Sequence, residues 1–211
     1  MAFDLEEQEQ MENLKAFWER WGKLIMGLIF AGVVGILAWK GYGVYQVKQS
    51  EKASQAYDNY FTAVQKKDAG ADALLTSLQK DYSKSRYAAL ASLDAAQIAM
   101  ADKKWDVAQT HLQWLVDNGS VENQAVARLQ LADVLAQMGK NDEAIKTLDA
   151  LTAAEFTAAV ANKKADVYLL MNDNAKARAS VEAALKWVKE QPVKDETLER
   201  AITDKLELIP Q

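Results

Sequence analysis

Between Leu24 and Trp39 the chain runs LIMGLIFAGVVGILAW, sixteen residues without a charge. A bilayer core about 30 Å thick asks for roughly twenty apolar residues in helical form. The flanks supply the difference, because Lys23 and Lys40 can snorkel and lengthen the span by about a turn at each end. Aromatic rings bracket the run, with Phe17, Trp18 and Trp21 before it and Trp39, Tyr42 and Tyr45 after it. Amphipathic rings at both ends favour the two membrane–water interfaces, whereas a core helix of a water-soluble domain has no use for them. A cleaved signal peptide would need a short basic leader and a small-residue cleavage site. Here the leader holds Asp4, Glu6, Glu7, Glu9, Glu12 and Glu19 against Lys15 and Arg20, and Trp39, Lys40 and Tyr42 follow the run. The pattern predicts an uncleaved transmembrane anchor.

Three segments follow: a tail over 1–21, a transmembrane helix over 22–45 and a helical domain over 46–211. Within the tail, Met11, Leu14, Trp18 and Trp21 keep a 3–4 spacing that predicts a short interfacial helix; a disordered acidic tail is the alternative for residues 1–10. Within the span, Gly27, Ala31 and Gly35 recur every four residues and line one face with small groups. That face suits close approach of another membrane helix, although glycine is also common in such helices for its own sake. Lys15, Arg20 and Lys23 on one side balance Lys40, Lys48 and Lys52 on the other, so the positive charges do not orient the span.

The remainder predicts an all-α fold. Apolar residues recur at helical spacing, with a first helix through Ala53, Tyr57, Tyr60 and Val64, a break at Asp68–Gly70 and a short helix around Leu74 and Leu78. Further helices are expected near 85–101, 104–117, 121–138, 141–151, 155–171, 174–190 and 195–208. Breaks fall at Asp102–Lys103, Asn118–Gly119, Gly139–Lys140 and Asn172–Asp173. Two prolines, nine glycines and 36 alanines agree with closely packed helices.

Paired helices with short turns invite a search for repeats. Three segments align on Ala108/Leu112/Leu115, Ala144/Leu148/Leu151 and Ala177/Val181/Ala184, each set following a turn. The leading alanines stand 36 and 33 residues apart, around the roughly 34-residue tetratricopeptide period. A small residue at each crossing lets two antiparallel helices nest while neighbouring pairs bury the other faces. The expected architecture is a single transmembrane helix followed by a tetratricopeptide-like solenoid of helical hairpins, with residues 50–80 as a degenerate fourth pair. The first helices of successive pairs carry Gln97, Asp133 and Asp166 at equivalent places, with Met100, Ala136 and Leu169 one turn on. A polar row beside an apolar one is a candidate partner-binding surface; the alternative is that the acids face solvent while Met100 and Leu169 pack inside. Leu206–Ile209 is expected to cap the last helix.

Catalytic chemistry finds no footing. The chain has no cysteine and one histidine, His111, which excludes thiolate sites and any site that needs two imidazoles. No phosphate-binding glycine loop and no nucleophile elbow occur, and the carboxylates alternate with lysines as on solvated helix faces. A formal charge of −5 leaves no electrostatic footprint for nucleic acid. The expectation is a binding protein without catalytic residues, cofactor or metal.

An acidic tail, one glycine-rich span and a repeat domain carrying ASQAYDNY (53–60), YAALASLDAAQ (87–97), LQLADVLAQ (129–137), AIKTLDAL (144–151) and NDNAKARASVEAAL (172–185) resemble the YfgM family, ancillary subunits of the bacterial SecYEG translocon. The resemblance implies a single-pass inner-membrane protein with a cytoplasmic N-terminus and a periplasmic helical domain. It further implies association with the translocon and with a membrane-anchored periplasmic prolyl-isomerase-like chaperone; emerging polypeptides are a further expected partner of the repeats. These segments are structural, so the resemblance brings no functional residue with it. Residue counting alone leaves a cytoplasm-facing regulatory adaptor, tethered to the membrane and binding a signalling or assembly partner, as the other reading.

Overall fold

The computed structural model describes residues 2–210 and is helical almost throughout. Met1 and Gln211, the outer limits of the expected tail and domain, lie outside the described residues, as do the side chains of residues 2–6 and 8, including Asp4 and Glu6. Among the described residues nine α-helices follow in order: α1 (Ala2–Gln65), α2 (Ala71–Asp81), α3 (Arg86–Ala101), α4 (Trp105–Asn118), α5 (Val121–Gln137), α6 (Asn141–Asp149), α7 (Thr157–Leu170), α8 (Asn174–Glu190) and α9 (Glu196–Leu208). A single 3₁₀ turn, Ala154–Phe156, leads into α7. No strand occurs among the described residues.

The chain divides into two compact units, Met1–Lys52 and Ala53–Gln211. The first is the N-terminal part of α1. Most of its apolar side chains are exposed: Leu28, Phe30 and Trp39 are each more than 70% exposed. Among the described residues this is the one helix long and apolar enough to cross a membrane. A Cβ added at Gly27 or Gly35 would meet no atom within 4 Å, so the small-residue face is bare within the chain. The expected interfacial helix and the span are not separate elements, since α1 runs through both without interruption.

In the second unit the helices pair in chain order, and the first helices α3, α5 and α7 also pack directly on one another. One turn geometry recurs four times. Lys67, Lys103, Gly139 and Asn172 each take a left-handed conformation, with φ of 53°, 58°, 74° and 57°. At each turn the next residue's amide reaches back five residues: Asp68 N–H to the Ala63 carbonyl, Lys104 to Ala99, Lys140 to Leu135 and Asp173 to Tyr168, at 2.8–2.9 Å. This left-handed stop satisfies carbonyls that the helix end would otherwise orphan. Its recurrence after α1, α3, α5 and α7 marks four helix pairs, and the first of them is the degenerate pair expected over 50–80.

The repeat alanines sit where their packing role requires. Ala108, Ala144 and Ala177 are wholly buried, as are Leu112, Leu148 and Val181 one turn later. Three apolar clusters result: Tyr60, Leu75, Leu78, Ala88 and Ala91 at the start; α3 to α7 at the centre; α7, α8 and α9 at the end. The last helix seals the array. Ile202 and Ile209 are buried, and Arg178 donates to the Ile209 carbonyl at 2.6 Å.

Candidate interaction surface

The residues of the expected row lie on the first helices α3, α5 and α7, but not in one state. Gln97 is exposed on α3. Met100 is half-buried against the central cluster, Ala136 is buried, and Leu169 is half-buried against the C-terminal cluster. Asp133 pairs with Lys163 of α7 at 2.5 Å, and Asp166 pairs with Lys205 of α9 at 2.7 Å. Lys205 also donates to the Asn162 side chain (2.7 Å) and carbonyl (3.1 Å). Asp133 is thus a rung between the first helices α5 and α7, and Asp166 one between α7 and the closing helix α9. One repeat earlier the same register places Gln97 and Gln130, and the Gln130 Oε1 is buried without a partner. A partner meeting Asp133 or Asp166 therefore meets a neutralised pair.

At the other end the face is aromatic and aliphatic. The Tyr57 hydroxyl of α1 donates to Asp94 of α3 at 2.8 Å. The Tyr57 ring lies 6.0 Å from Phe61 and 6.1 Å from Tyr87 between centroids. Burial, with the Asp94 carboxylate alongside, pushes the Tyr57 hydroxyl up to about 12; burial and the same acid do the same for Tyr60. Beyond Tyr87 a hollow of about 470 Å³ opens between α3 and α5, floored by Ala89, Leu93 and Leu115, with Leu90, Val126, Asn123 and Arg86 around it. Leu90 and Val126 remain 44% and 39% exposed beside it. Leucine and valine at these positions gave no sign of the hollow in the sequence, since it is lined by residues of three helices, α3, α4 and α5.

His111, the lone imidazole, is half-buried on α4, and burial holds it below its ordinary value while Asp72 pulls weakly the other way. No group of three or more His, Cys, Asp or Glu that could hold a metal occurs among the described residues.

Stacked helix pairs with a common left-handed turn, joined to a long apolar helix, define a membrane-associated tetratricopeptide-like interaction protein. A family model described as a tetratricopeptide repeat-like domain matches residues 15–209, span and repeats together. A protein of Neisseria gonorrhoeae named ancillary SecYEG translocon subunit is 33% identical over 205 residues, covering 94% of this chain and 97% of the relative. Proteins of the same name from Escherichia coli (33%, covering 85% and 87%) and Haemophilus influenzae (29%, covering 87% and 91%) are also similar. The chain belongs to this tetratricopeptide repeat-like family. A single-pass inner-membrane placement agrees with the family and with the one candidate span.

Proposed function

We propose that the chain is an ancillary scaffold subunit of the SecYEG translocon, anchored by residues 22–45 with its N-terminus cytoplasmic and its repeats in the periplasm. The observation that carries this reading is the end-to-end likeness to translocon subunits, which takes in the anchor as well as the repeats. The anchor contacts translocon components, with Gly27, Ala31 and Gly35 as the face that approaches a neighbouring membrane helix. The repeats bind a membrane-anchored prolyl-isomerase-like chaperone or emerging polypeptides along the first-helix face, through Gln97, Met100, Asp133, Asp166 and Leu169. Tethering raises the local concentration of the repeats at the exit site, so individually weak contacts suffice.

Two measurements test it. Protease added outside spheroplasts should degrade the repeat domain; protection would favour the cytoplasm-facing adaptor. Photocrosslinkers at Gln97 and Asp166 in living cells should capture the chaperone and translocating chains. Crosslinks to one fixed partner alone would argue against a client-binding face.

A further inference from the structure

The first-helix face is not uniform, and the difference points to where a partner docks. Toward the C-terminus it is closed: Lys163 covers Asp133, and Lys205 ties Asp166 and Asn162 to α9. Toward the N-terminus it is open, with Phe61, Leu90 and Val126 exposed on α1, α3 and α5. The Arg86 guanidinium stands at the edge of the hollow, 4.9 Å from the Tyr87 ring centroid, donating to the Tyr87 hydroxyl at 3.0 Å. Arg86 has no carboxylate partner among the described residues, and exposed Lys84 precedes it by two positions.

The acids nearby leave that cation available. Asp94 is taken by Tyr57, while local hydrogen bonding at the start of α5 holds the Glu122 carboxyl below its ordinary value. Asp58 is exposed on α1. We propose that the hollow between α3 and α5 receives one large apolar side chain of an extended polypeptide, with Arg86 taking a carboxylate on the neighbouring residue. The proposal rests on the reading of the repeats as a binding face and gives that face a site and a ligand class. Tyrosine and arginine around a desolvated pocket are the residue types that concentrate binding energy at interfaces. A guanidinium already oriented by an aromatic ring offers its donors to a carboxylate in fork geometry. An extended segment fits better than a helix, since a helix needs a long groove for anchors at i, i+4 and i+7.

The test uses the full chain in lipid nanodiscs and short fluorescent Gly/Ser peptides whose centre is Phe-Asp, Phe-Lys or Gly-Asp. Phe-Asp should bind at least about tenfold more tightly than either counterpart, a difference of about 1.4 kcal/mol. Leu90→Asp, at a half-exposed site, should abolish that binding with helicity unchanged, whereas Leu170→Asp on exposed α7 should leave it intact. Arg86→Glu should move the preference to Phe-Lys, and it decides the matter even if Leu90→Asp unfolds. Equal affinity for the three peptides, an unshifted preference in Arg86→Glu, or equal loss in Leu170→Asp would overturn the proposal. Recovery of the translocon with Leu90→Asp reads the scaffold role separately, so failure of one leaves the other standing.

Discussion

At the residue scale, the four left-handed turns are filled by two lysines, an asparagine and a glycine. Only Gly139 carries the backbone geometry at no steric cost; Lys67 and Lys103 adopt a conformation that costs a side-chain-bearing residue about 1–2 kcal/mol. Lys103→Gly should therefore raise the unfolding free energy read from urea denaturation by about 0.5–1 kcal/mol once glycine's extra chain entropy is deducted. Gly139→Ala should lower it by about 1 kcal/mol. His111 supplies a pH prediction. Its folded value lies below 6.5, so its contribution to stability is complete above pH 6.5 and is lost as pH falls through the folded value. As the chain's one histidine, it gives a single titrating imidazole resonance, whose midpoint should lie below 6.5; a midpoint at or above that value would contradict the burial described.

At the element scale, the repeat was legible because it is written in small residues at helical spacing. Ala108, Ala144 and Ala177 name the crossings outright, and the helix limits follow from the breaks beside them. Two of the four turns were legible as glycine or asparagine caps; Lys67 and Lys103 carry no such signal. The rungs were illegible for a different reason. Asp133 finds Lys163 thirty residues away, and Asp166 finds Lys205 across α9, pairings fixed by which turn of the next helix stands opposite. In sequence such acids look like solvated surface or a polar ladder. Ala144→Leu at a wholly buried crossing should cost about 1–3 kcal/mol by overpacking. Gly119→Ala should be comparably harmful, since its Cβ would lie 2.6 Å from the Leu115 carbonyl oxygen. A double-mutant cycle on Asp133 and Lys163, each 34% exposed, should give a coupling of about 0.2–1 kcal/mol that salt diminishes.

At the scale of the whole molecule, a mildly acidic chain with half its residues apolar divides into a glycine-rich anchor and an alanine-rich repeat domain. The repeats leave apolar side chains uncovered around Leu90, Val126 and Arg86, while ion pairs neutralise Asp133 and Asp166. Tethering a repeat domain to a membrane raises its local concentration there, which makes modest affinity effective. The most direct measurement is the recovery of SecYEG with the tagged chain from mildly solubilised inner membranes, comparing the natural protein with one whose residues 22–45 are replaced by an unrelated span. The account predicts stoichiometric recovery with the natural chain and a large loss with the substituted anchor; no recovery with the natural chain, or equal recovery with both, would contradict it.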